Sequence, residues 1–91
     1  MQGLRKESDG RVVLSEHQLT RDPHLTVTLC LYNNKFVVWT HNRQVGGYSG
    51  GAYFDPKGCT STEGEEARTR RSYMMALAEF HKRVNGAEGL R

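Results

Sequence analysis

Ser49 lies in Gly47-Tyr48-Ser49-Gly50-Gly51, which satisfies the G-x-S-x-G pattern of a nucleophile elbow. An elbow needs a strand before the serine, a helix after it, and a sheet large enough to hold an oxyanion hole and a triad. Here a polar loop precedes Ser49 and the strand-like Ala52-Tyr53-Phe54 follows. Asp55 and His81 would have to complete the triad, and a chain of 91 residues cannot supply the α/β-hydrolase frame. The same glycines lack the lysine and the following helix of a phosphate-binding loop, and they do not enter a helix as a dinucleotide fingerprint does. They are read as turn and bulge glycines.

The remaining chemistry is thinner. His17, His24, His41, His81, Cys30 and Cys59 show none of the close pairings that mark a zinc site, so no metal is expected. Cys59 precedes a helix start, where a thiolate is stabilised. Only Lys57 is a nearby base, and Cys59 is read as a bystander thiol. Glu65 and Glu66 are adjacent on a helix, where they diverge and favour the helix start by their charge. The sequence therefore carries no catalytic cluster and implies no cofactor.

Composition sets the frame for these residues. The chain is long enough for one domain with a modest core. Hydrophobic residues make up only 36%, which makes a homodimer a natural way to bury more surface. The net charge of +3 is too mild to mark a dedicated nucleic-acid binder. Two cysteines do not make a disulfide framework, the start "MQGLRKESDG" has no signal-peptide character, and no run is long enough to span a membrane. The expectation is a cytoplasmic protein. Residues 1–10 are read as a flexible lead-in, 11–86 as a single domain and 87–91 as a flexible end.

The elements that position the side chains follow from period and punctuation. "RVVLSEHQL" from Arg11 forms a short strand, and Asp22-Pro23 favours a turn. Leu25, Val27, Leu29 and Leu31 alternate with Thr26, Thr28, Cys30 and Tyr32, the period of a half-buried strand. Asn33-Asn34 can hold positive φ, so "KFVVWTH" returns through a two-residue hairpin. That turn sets Tyr32 opposite Lys35, Leu31 opposite Phe36, and so on to Val27 opposite Thr40. "NRQVGG" is a loop, and "YSGGAYF" a further strand whose glycines imply a bulge. From Glu63 to Val84 the sequence predicts a helix, with Thr62 and Glu65 as a capping box and Asn85-Gly86 as its stop. Tyr73, Leu77, Phe80 and Val84, flanked by Met74 and His81, form its core stripe. The expected fold is α+β: an antiparallel sheet of three or four strands with one C-terminal helix on one face, β-β-β-β-α.

One helix covers one sheet face. Val27, Leu29, Leu31, Phe36 and Val38 are assigned to it, which leaves Thr28, Cys30, Tyr32, Val37, Trp39 and His41 on the other, with nothing in the chain to cover Tyr32, Val37 and Trp39. Tyr and Trp in such a place read as an interaction surface. The candidate interface is Tyr32, Lys35, Val37, Trp39, His41, Arg43, Tyr48 and Tyr53. The expected function is non-enzymatic: a small inhibitor or adaptor of the kind phages and mobile elements carry against host defence, acting by occlusion on a host protein complex, or pairing with its own twin. The alternative is single-stranded nucleic acid stacked on the same aromatics, aided by Arg68, Arg71 and Lys82.

Overall fold

A computed structural model of the protein describes residues 5–7, 10–58 and 64–89. Four long strands run as an antiparallel meander: β2 (Val12–Gln18), β3 (Leu25–Tyr32), β4 (Lys35–Asn42) and β5 (Gly47–Phe54). A two-residue β1 (Arg5–Lys6) pairs with Val12 and Val13, inside the stretch read as a lead-in. After a short 3-10 turn (Pro56–Gly58), helix α1 (Glu65–Ala87) packs across one face of the sheet. The sheet order is β1-β2-β3-β4-β5, the order of the chain itself.

The β3–β4 hairpin has the register that its turn dictates, from Tyr32↔Lys35 to Leu25↔Asn42. Asn33 and Asn34 stand at φ 52° and 64°, the two positive values of a type I′ turn. This turn twists with the strands, and asparagine tolerates the left-handed conformation because its short side chain can bond locally.

Two bulges complete the sheet. The first, between Val13 and Ser15 on β2, reverses side-chain parity beyond Leu14. Val13 stays on the face away from α1, Leu14 joins the core, and Glu16 and Gln18 pass to the face away from α1. His17 is thereby turned toward the helix. The second bulge sets Gly50 and Gly51 opposite Trp39. Gly50 takes φ +66°, where a Cβ would also sit 3.2 Å from Arg83 Nη1, so the expected bulge occupies a position that only glycine fits without strain.

The core lies between α1 and the sheet, where Leu19, Val27, Leu29, Phe36, Val38, Ala76 and Phe80 are buried together. The helix departs from expectation in three ways. Its N-cap is Gly64, without a side-chain cap, and Thr62 lies outside the described residues. The face of closest contact is Ser72, Ala76 and Phe80; Tyr73, Leu77 and Val84 flank it half-buried, and Met74 and His81 are exposed. Small Ser72 and Ala76, both at 0% exposure, let the helix backbone approach the sheet where a larger side chain would hold it off.

The third departure is the helix end. Asn85-Gly86 does not stop α1, which runs on to Ala87, so Lys82 and Arg83 fall before its last turn. Arg83 instead bonds Glu79 at 2.7 Å. Glu88, in the stretch read as a flexible end, is bonded to β2 and the turn after it. It accepts from Thr20 N (2.9 Å) and Thr20 Oγ1 (2.7 Å) and meets His17 Nε2 at 2.9 Å.

The side-chain bond to His17, followed by those from Thr20, holds the Glu88 carboxyl at about 2, well below its ordinary 4.5. A depressed carboxylate stabilises the fold fully above its unfolded value and loses that contribution as pH falls through its folded value. Wild type should therefore exceed Glu88→Gln in denaturant midpoint at neutral pH. The gap should close between about pH 4.5 and 2. A gap that stays constant through that window would show that the carboxylate's charge does not matter.

Candidate functional site

The open face of the sheet is built from alternate residues of four strands. Arg11 and Val13 come from β2 and its approach, Thr26, Thr28, Cys30 and Tyr32 from β3, Val37, Trp39 and His41 from β4, and Tyr48 and Tyr53 from β5. Trp39 is the hub. Its indole lies 4.7 Å from Tyr48, 6.4 Å and edge-on from Tyr53, and 6.5 Å from Tyr32, centroid to centroid. The second bulge makes this possible: glycines opposite Trp39 leave room for Tyr48 and Tyr53 to close from either end. The Tyr53 ring lies over Gly51, where a Cβ would approach it to 3.0 Å.

His41 also stacks on Tyr48, centroids 4.4 Å apart and planes 16° from parallel. The Arg11 guanidinium carbon stands 4.3 Å from the Tyr48 centroid and 5.7 Å from that of Trp39, a cation–π contact with both rings. Beneath these groups Thr26, Thr28, Cys30 and Val37 are buried. The expectation that nothing in the chain covers this face is thus corrected. Arg11 and the aromatics lie down upon it, and Val37, at 0% exposure between Cys30 and Tyr53 in register, cannot touch a partner.

Trp39 Nε1 is buried with no hydrogen-bond partner among the described residues. A buried donor without an acceptor costs about 1–3 kcal/mol. Beside the cluster runs a polar groove of about 670 Å³. Arg11, Glu16 and Gln18 form one wall, Thr26 and Thr28 the floor, and His41, Arg43 and Tyr48 the other wall, with Glu7 at the end. Arg43 reaches it from the β4–β5 turn, where Asn42 Oδ1 accepts from the amides of Gln44 and Val45 and Gly46 closes the bend at φ 75°.

The fold gathers most of the sequence candidates. Tyr32, Trp39, His41, Tyr48 and Tyr53 share one cluster, and Arg43 lies at the rim of the groove. Lys35 is exposed beside the β3–β4 turn, opposite Tyr32. Arg68, Arg71 and Lys82 are on α1 and therefore across the sheet from the aromatics. Ser49 falls mid-strand in β5 rather than at a strand-to-helix turn, and Cys59 lies outside the described residues.

No family model, curated protein or solved structure matches this chain. The site stands on its geometry. Reading the sequence alone misses Arg11, Glu16 and Gln18. The alternation of β2 would have placed Arg11 on the aromatic face, but it puts Glu16 and Gln18 on the wrong one, because nothing in "VVLSEHQ" announces the bulge at Leu14.

Proposed function

We propose that the protein is a non-enzymatic binding module that recognises a partner protein with the open face of its sheet and acts by occlusion, as an inhibitor or adaptor. The aromatic cluster carries this reading. Tyr48 and Tyr53 are 39% and 59% exposed, yet both are fixed against Trp39, so their rings offer contact area with little conformational entropy left to lose. The neighbouring groove supplies a polar rim in which Arg11 and Arg43 alternate with Glu7 and Glu16. A rim of mixed sign suits a protein surface. A nucleic-acid strand would meet those two carboxylates, and it could not reach Arg68, Arg71 or Lys82 while stacking on the opposite side of the sheet. In its fuller form the proposal is of a cytoplasmic accessory protein, phage- or mobile-element-borne, that blocks a host complex.

The test is capture of partners from nuclease-treated host extract by wild type and by Tyr53→Ala, a substitution of a 59% exposed side chain outside the helix–sheet core. Wild type should retain a protein whose binding changes little with ionic strength. Tyr53→Ala should weaken it by about 2 kcal/mol or more, the loss expected of an aromatic hot spot. A ligand removed by nuclease, or an affinity that falls steeply with salt, would establish the nucleic-acid reading instead.

A further inference from the structure

Among the described residues no strand pairs with the outer edge of β5, and that edge has the hydrogen-bonding pattern and the residue symmetry to pair with a second copy of itself. In a two-residue hairpin the residues flanking the turn exchange both ladder bonds, so Lys35 directs its amide and carbonyl to β3. By alternation Phe36, Val38, Thr40 and Asn42 direct theirs to β5, where their register partners Phe54, Ala52, Ser49 and Gly47 point back. The amides and carbonyls of Tyr48 and Tyr53 therefore point away from the sheet.

In an unbulged strand, residues five apart would have opposite parity and could not share an edge pattern. The Gly50–Gly51 bulge restores the match. The inner six residues, "YSGGAY", are also symmetric in character about their centre: Gly50 with Gly51, Ser49 with Ala52, Tyr48 with Tyr53.

We propose that two chains associate through antiparallel β5–β5 pairing, with the two-fold axis between Gly50 and Gly51, so that Tyr48 of each copy exchanges both backbone bonds with Tyr53 of the other. The two bulges then face each other and their extra residues cancel, so the ladder keeps register on both sides of the axis. Three further observations favour this occupant. The strand has no charged or proline residue, two of the usual protections of an exposed edge, and its bulge, a third, is matched by the same bulge in the second copy. Its residues from Gly47 to Gly51 are all exposed. Arg83 sits beside Gly50 while Glu88 reaches β2, so the helix flank carrying Arg83, Glu79 and the 50% exposed Met75 is turned toward the β5 side, where a second copy would cover it. Pairing about such an axis sets both aromatic clusters on the same side of one continuous sheet. It requires no heterologous partner, so it stands or falls separately from the function proposed above.

Sedimentation of the wild-type chain up to about 0.5 mM should show a concentration-dependent dimer, since pairing of roughly 0.1 mM affinity is populated there. The register is tested by cysteines in a Cys59→Ser background. Ser49→Cys and Ala52→Cys are near-isosteric and occupy a non-hydrogen-bonded pair, where opposing Cβ atoms come closest. Mild oxidation of the two variants mixed should give a disulfide-linked dimer in at least tenfold excess over either alone. A wild-type chain monomeric throughout that range overturns the proposal. So does a dimer whose cross-linking is as efficient in the single variants as in the mixture.

Discussion

Phe80→Ala is expected to destabilise the protein by about 3–5 kcal/mol. Phe80 is one of three buried helix residues, sits in the cluster with Leu29 and Val38, and retains only 6% exposure. Alanine is the best helix former, so the substitution removes packing without weakening the helix itself. A small domain has roughly 5–15 kcal/mol in total, and the variant should sit near the edge of folding at room temperature. Urea denaturation should show a large fall in midpoint with an unchanged slope. Met75→Ala, on an exposed position of the same helix, should shift the midpoint hardly at all. Similar losses from both would mean that α1 presents a different face to the sheet.

Ala76→Leu is expected to be damaging for the opposite reason. Ala76 has no exposed surface, and its methyl group lies where α1 comes closest to the sheet. Adding an isobutyl side chain there forces the helix outward or drives neighbours off their rotamers, at a cost of about 1–3 kcal/mol. Because displacement of α1 loosens every contact along it, slowed amide exchange in α1 should be lost before that in β3. Hydrogen exchange read residue by residue checks this. Protection unchanged along α1 would show that a space exists beside Ala76 that accommodates the larger side chain.

Those two residues also mark what could be read in the sequence. The β3–β4 hairpin was legible because two independent signals agree, the alternation of Leu25 to Tyr32 and a turn of two asparagines that fixes register to the residue. The helix was legible as an element, but its contact line was not. A wheel weighted by hydrophobicity centres on Tyr73 and Leu77, whereas the closest approach is decided by Ser72 and Ala76, which count for little on such a wheel. Its C-terminus was misplaced because Asn85-Gly86 is a local stop signal, and the bonds holding Glu88 are tertiary. The aromatic members of the site were visible as residues on one face of a hairpin. Their closure over Val37 was not, because it needs Tyr48 and Tyr53 brought from β5 through one bulge and Arg11 from the approach to β2. Such bulges leave only a weak trace in sequence, and at Leu14 they leave none.

The indole of Trp39, whose buried donor has no partner among the described residues, makes the site report on itself. Trp39 is the sole tryptophan of the chain, and it is placed in the open-face cluster rather than between helix and sheet. Its near-ultraviolet emission therefore carries no direct record of the core. An indole with no hydrogen-bonded partner emits at shorter wavelength than a solvated one, and the ring is sensitive to the cation and phenols held against it. Any ligand that lifts Arg11 from the ring, or that opens the cluster far enough to offer Nε1 an acceptor, writes a spectral change without unfolding the core. The chain thus contains an optical probe of its own recognition surface, readable without a label.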